Sequence, residues 1–140
     1  MNTLTVPARL AFLKDIREFV MAAAQEAGLS RKAAYRLRLG VDEVSTNIIE
    51  HGYADAAERT SEEHLYLSAA MTADTLKITI EDRGQPYDPH QTPPLDDFTL
   101  PLEHRRTGGL GLYLTLHGID SCSYERDGEW NRVTFVMHRE

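Results

Sequence analysis

Three groups of residues have the types and spacing to do chemistry. The first is Asp42-Glu43-Val44-Ser45-Thr46-Asn47. Glu43 and Asn47 are four positions apart, so on a helix they project from the same face. They offer a proton acceptor beside a hard carboxamide oxygen. Magnesium takes oxygen ligands and keeps several waters, so one such oxygen together with substrate phosphates can hold it. The second group is Glu81-Asp82-Arg83-Gly84. A carboxylate at a strand end can accept a hydrogen bond from an exocyclic amine, and a nearby glycine lets a flat ring approach the backbone. The third is Thr107-Gly108-Gly109-Leu110-Gly111-Leu112, preceded by His104-Arg105-Arg106. Free N–H groups at a helix N-terminus attract phosphate, and the two arginines add positive charge beside them.

Taken singly, each group also has a plainer explanation. Polar pairs four apart are common on solvated helix faces. Asp and Gly are ordinary turn residues, and a glycine cluster can be a hinge feeding a helix. Other chemistries are excluded more firmly. No Walker A sequence occurs, and Gly109 and Gly111 lack the third glycine of a dinucleotide fingerprint. The six histidines have no zinc-ligand spacing. Cys122 is most simply a small core residue.

The elements that must position these groups follow from hydrophobic period. Thr3 to Val6 alternates weakly and stops at Pro7, as a short edge strand would. Arg9 to Ala27 is expected to be a helix with Leu10, Leu13, Ile16, Phe19, Val20 and Ala23 near one face, ended by Gly28. Ser30 suits an N-cap for a second helix running from about Arg31 to His51, with Leu37, Val41, Val44 and Ile48 inward. Leu65 to Met71 and Leu76 to Ile80 make a hairpin, Ile78 and Ile80 sharing a face. The pattern dissolves over residues 84–107, which hold five of the six prolines and have the length of a functional lid. Leu110 to Ile119 is expected to be helical. Ser121 to Arg126 and Arg132 to His138 form a last hairpin turning at Asp127-Gly128. Strands in neighbouring pairs, rather than alternating with helices, indicate an α+β fold with helices on one face of a mainly antiparallel sheet.

Bulk properties narrow the class. A chain of 140 residues suits one domain, residues 1–140. A net charge of −7 disfavours a general nucleic-acid binder, which needs a basic face. Met1 to Arg17 has no signal-peptide core, and no run reaches the ~20 apolar residues that span a bilayer. With one cysteine, no internal disulfide is possible. The expectation is a soluble cytoplasmic protein.

In their order along the chain, the three groups carry more weight together. Glu43-x-x-x-Asn47, Asp82-x-Gly84 and Gly109-x-Gly111 resemble the N, G1 and G2 boxes of the GHKL ATPase superfamily. Glu43 to Tyr53, Asp82 to Pro89 and Gly108 to Leu112 are similar to the boxes of the anti-sigma serine kinases of partner-switching modules. The resemblance implies a Bergerat-type two-layer sandwich binding ATP and magnesium under a lid at 84–107, with no phosphoacceptor-bearing helix before the domain. It implies that Asn47 coordinates magnesium and that Asp82 accepts from the adenine amino group, with Gly84 making room for the ring. Thr134 would reach adenine through water. Thr107, Gly108, Gly109, Leu110 and Gly111 would wrap the phosphates, with Arg105 or Arg106 on the γ-phosphate, and Glu43 would be the general base. Gln85-Pro86 and Tyr87 depart from the family pattern without removing a group that ATP binding needs. The implied activity is phosphorylation of a serine on a STAS-domain anti-anti-sigma protein. The implied partners also include a sequestered sigma factor or other regulated protein and a second copy in a homodimer. A nucleotide-sensing module without kinase activity and a detached histidine-kinase ATPase domain are the alternatives.

Overall fold

The computed structural model describes residues 2–52, 63–86 and 118–139. Local signals set most element ends. Ser30 is extended and its hydroxyl accepts from the Ala33 N–H at 3.1 Å, capping helix α2, Arg31–Asn47. Gly28, in the left-handed region at φ 76°, closes helix α1, Leu13–Ala27. The first helix starts later than its period suggests. Arg9 is extended, Leu10–Phe12 is a single 3₁₀ turn, and Leu10 is half exposed instead of inward. The second helix keeps α geometry only to Asn47, and Ile48–Gly52 widens into a π turn.

Among the described residues, five strands form one antiparallel sheet in the order β1-β2-β3-β5-β4. They are β1 (Asn2–Pro7), β2 (His64–Met71), β3 (Thr75–Asp82), β4 (Ser121–Asp127) and β5 (Trp130–His138). The sequence placed β1 at an edge, and it is one. The last hairpin turns at Gly128-Glu129, one residue later than expected, with Gly128 at φ 63° and Asp127 opposite Trp130.

Period-two alternation divides the sheet's two faces. Leu65, Leu67 and Ala69 of β2, Leu76, Ile78 and Ile80 of β3, and Val133, Phe135 and Met137 of β5 are buried. α1 packs over β1, β2 and β3, and α2 over β5. Their inward residues, including Ile16, Val20, Leu37, Val41, Val44 and Ile48, complete one core. Among the described residues, two helices on one face of a five-stranded antiparallel sheet make the expected α+β two-layer fold. No helix among the described residues is long and apolar enough to cross a membrane.

The direction of α2 matters most for the site. Arg139 donates from Nε to the Ala27 carbonyl at 3.0 Å and from Nη1 to the Thr72 carbonyl at 2.6 Å. The corner between the helices therefore sits beside the β2–β3 turn and the end of β5. Midway along α2, a side chain at Gly40 would overlap Ile119 Cδ1 and touch the Phe135 ring, so the helix crosses β5 there in close contact. From Gly40 to Asn47 the helix advances about 10 Å. From Phe135 back to Asn131, β5 covers about 13 Å. The last turn of α2 and the paired residues Asp82 and Asn131 thus lie at the same end of the molecule.

Candidate functional site

Asp82 continues the inward row of Leu76, Ile78 and Ile80 by one step, so a carboxylate occupies a position that the alternation reserves for the core. It is 1% exposed. Its Oδ1 accepts from the Gly84 N–H at 2.8 Å and from Asn131 Nδ2 at 3.1 Å. The first bond is an Asx turn, so the turn expected at Asp82 is present at the end of the strand. Burial pushes its pKa above the ordinary carboxylate range. The Gly84 N–H, the Asn131 amide and the Arg126 charge oppose that rise.

Asn131 lies directly across from Asp82 on β5 and is 2% exposed. Its Nδ2 also donates to the carbonyls of Gly84 and Gln85, each at 3.1 Å. Its Oδ1 accepts from Tyr124 Oη at 2.6 Å and from Arg126 Nη1 at 3.1 Å. Arg126 donates from the same nitrogen to the Gly84 carbonyl at 3.0 Å. β3, β4, β5 and the loop after Asp82 are thereby tied into one polar cluster at the sheet's end.

Glu43 and Asn47 stand on the last turns of α2. Asn47 is 7% exposed, and no described residue hydrogen-bonds to its carboxamide. It is also the last α-helical residue before the π turn. Such insertions re-aim a helix and are frequent at functional sites. Glu43 is half-buried. Its pKa is raised first by burial and then by the charges of Asp42 and Glu50, which favours a proton acceptor of greater basicity than a solvated glutamate. Arg17 of α1 grips Asp42 with two prongs, Nε to Oδ1 at 2.8 Å and Nη2 to Oδ2 at 3.1 Å.

The structure therefore brings Glu43, Asn47, Asp82 and Gly84 to one end. It does not bring Thr134 there. Thr134 pairs with Thr79 on β3 and Ser123 on β4, on the face away from the helices, because it is an odd number of residues from Asn131. A water-mediated reach from Thr134 to adenine, as the resemblance implied, does not fit this placement, and Asn131 is the β5 residue beside Asp82. Continuing the inward alternation back from Phe135 would have found Asn131. Nothing in spacing marked Tyr124 or Arg126.

Arg105, Arg106, Thr107, Gly108, Gly109, Leu110 and Gly111 lie outside the described residues, as does the expected lid beyond Pro86. Of the helix expected over 110–119, only Gly118 and Ile119 are described, and they are turn and bend. Gly118 rests against the Arg36 side chain of α2.

The donor set fits a magnesium nucleotide. Asp82 is a buried carboxylate acceptor suited to an amine. Asn47 presents a nearly buried amide oxygen without a partner among the described residues, and one such ligand suffices for an ion that keeps its waters. No group of three or more His, Cys, Asp or Glu residues among those described could hold a metal by itself, so phosphates would have to complete the coordination.

Comparison with known proteins agrees with this fold. Residues 6–137 match the family model for the histidine kinase-like ATPase domain. The chain is 31% identical over 111 residues to the serine/threonine-protein kinase BtrW of Bordetella bronchiseptica, covering 78% of this chain and 73% of that protein. It is 27% identical over 128 residues to the serine-protein kinase RsbW of Halalkalibacterium halodurans, covering 89% and 75% respectively. A crystal structure of the RsbU and RsbW domains of Rv1364c from Mycobacterium tuberculosis superposes with a TM-score of 0.65 at 16% identity. That likeness covers all of this chain and 34% of the other, and it concerns the fold.

Proposed function

This chain belongs to the histidine kinase-like ATPase domain family, and from that premise we propose that it is an ATP-dependent protein-serine/threonine kinase that also restrains a regulatory partner. Membership in an ATPase family implies ATP binding. The single observation that carries the reading further is the convergence of Glu43 and Asn47 from α2 with Asp82 at the end of β3 and Gly84 in the loop after it, at one end of the fold.

In this reading residues 1–140 are one nucleotide-binding kinase domain. Asp82 accepts from the adenine amino group, and Gly84 lines the ring. Asn47 offers its amide oxygen to magnesium. When bound, the ion would screen the charge of the phosphates. Gly109 and Gly111, with Thr107, Gly108 and Leu110, present backbone N–H groups to the phosphates, and Arg105 or Arg106 neutralises the γ-phosphate. Glu43, made more basic by burial and two neighbouring carboxylates, takes the proton of an incoming serine hydroxyl. Phosphoryl transfer is mostly positioning and charge stabilisation, so this set is adequate.

The curated relatives are named serine- or serine/threonine-protein kinases. They support a STAS-domain anti-anti-sigma protein as the phosphorylated partner and a sigma factor or equivalent regulator as the restrained one. A homodimer acting in the cytoplasm completes the reading. The test is transfer of label from γ-labelled ATP, with magnesium, to the cognate STAS-domain protein. Label is expected on serine, and Glu43→Gln is expected to transfer about 10²–10⁴-fold more slowly while still binding ATP. Transfer by Glu43→Gln at the parental rate would remove Glu43 from the role of base. ATP binding with no transfer by the parent would favour a nucleotide-sensing module.

A further inference from the structure

The orientation of the Asn131 amide is dictated by its neighbours. Arg126 has only donors, so the atom facing it must be the amide oxygen. The carbonyls of Gly84 and Gln85 only accept, so the atom facing them must be the NH₂ group. Turning the amide over would set oxygen against two carbonyls and a carboxylate, and NH₂ against a guanidinium. The NH₂ group has two protons for three acceptors, so one bond is shared, and no proton there is spare. Asn131 is thus locked as a donor toward Asp82, in a chain that runs from Tyr124 and Arg126 through Asn131 to the carboxylate.

We propose that Asn131 is a positioning residue that sets the hydrogen-bond polarity of the base pocket, holding Asp82 as a pure acceptor so that the site selects a base bearing an exocyclic amine over one bearing a carbonyl. The inference rests on the reading that Asp82 faces the base. A buried carboxylate tends to take up a proton, and once protonated it could donate to a carbonyl-bearing base. Donors from Asn131 and Gly84 on Oδ1 counter that tendency. An ionised Asp82 leaves a carbonyl base facing an acceptor, two oxygens with no proton between them, and sites built for a particular hydrogen bond reject analogues that cannot make it.

A purely structural Asn131 would tie the strands together and affect every nucleotide alike. The deciding quantity is therefore the ratio of affinities for ATP and inosine triphosphate, which differ at the amine position. It is measured by calorimetry with magnesium on the full chain. Asn131→Asp keeps the shape but sets two buried acids face to face, where they hold a proton between them. The ATP preference should fall about tenfold or more, the loss of a hydrogen bond to a charged group. Asn131→Ala should lower the ratio by about three- to tenfold. If either variant does not fold, Tyr124→Phe removes one donor to Asn131 at nearly constant volume and should lower the ratio about two- to fivefold. Folded variants that weaken both nucleotides equally, in a parent that prefers ATP, would overturn the role of Asn131 alone. A parent indifferent to both nucleotides would overturn the reading of Asp82, and this inference with it.

Discussion

Replacing Asp42 by asparagine should weaken the fold and make the proposed base work at lower pH. The side chain has two roles that can be separated. It completes the two-pronged pair with Arg17, whose side chains are 42% and 25% exposed. Exposed pairs contribute about 0.2–1 kcal/mol, and two-pronged geometry places this one near the top of that range. Loss of about 1 kcal/mol should lower the melting temperature by about 3–4 °C in a domain of this size. Asp42 also raises the pKa of Glu43 by like-charge repulsion. With asparagine there, burial and Glu50 still hold that pKa up, but less. A base is active when ionised, so the rate falls as pH falls through its pKa, and the acid limb of the kcat/KM profile should move to lower pH. Arg17→Met provides the control. It loses the same ion pair, so its melting temperature should fall similarly. It leaves the Asp42 charge uncompensated, however, and its acid limb should move to higher pH. Both profiles are best measured at low ionic strength, since salt screens these partly exposed charges. Acid limbs that stay in place, or move the same way in both variants, would refute the electrostatic coupling of Asp42 to Glu43.

Three further expectations follow. Glu43→Gln should be more thermostable than the parent at neutral pH. The folded pKa is raised above the unfolded value, so the parent's stability falls as pH climbs from the unfolded carboxylate pKa through the folded one; the gain should vanish in acid below both, and a pH-independent difference in melting temperature would contradict it. Asn47→Ala should weaken ATP binding in magnesium much more than without it, and equal weakening in the two titrations would count against the ligand role. Gly28→Ala should cost about 1 kcal/mol, because φ is 76° and an added Cβ meets nothing within 4 Å; the melting temperature should drop while ATP affinity stays unchanged.

Much of this was legible in the residues, for identifiable reasons. The inward stripe Leu37, Val41, Val44 and Ile48 follows a 3.6-residue period, and all four are buried. It could not reveal the π turn after Asn47, because apolar spacing does not distinguish an α ladder from one widened by a residue. Leu10 fits the period of α1 yet is half exposed, since the extended backbone at Arg9 fixes where the helix can begin. The parity that joins Ile78 and Ile80 extends to Asp82, and on β5 it joins Phe135 to Asn131 and excludes Thr134. The cluster of Asn131, Tyr124 and Arg126 depends on strand register across β4 and β5, which spacing along one strand does not encode.

We propose above all that the buried Asp82 carboxylate receives the amino group of adenine at the end of the sheet where α2 delivers Asn47. The most direct test is the affinity of parent and Asp82→Asn for Mg-ATP by calorimetry. The parent should bind tightly and the variant about 10–100-fold more weakly, the worth of a hydrogen bond to a charged acceptor. Equal affinities in the two proteins would contradict it.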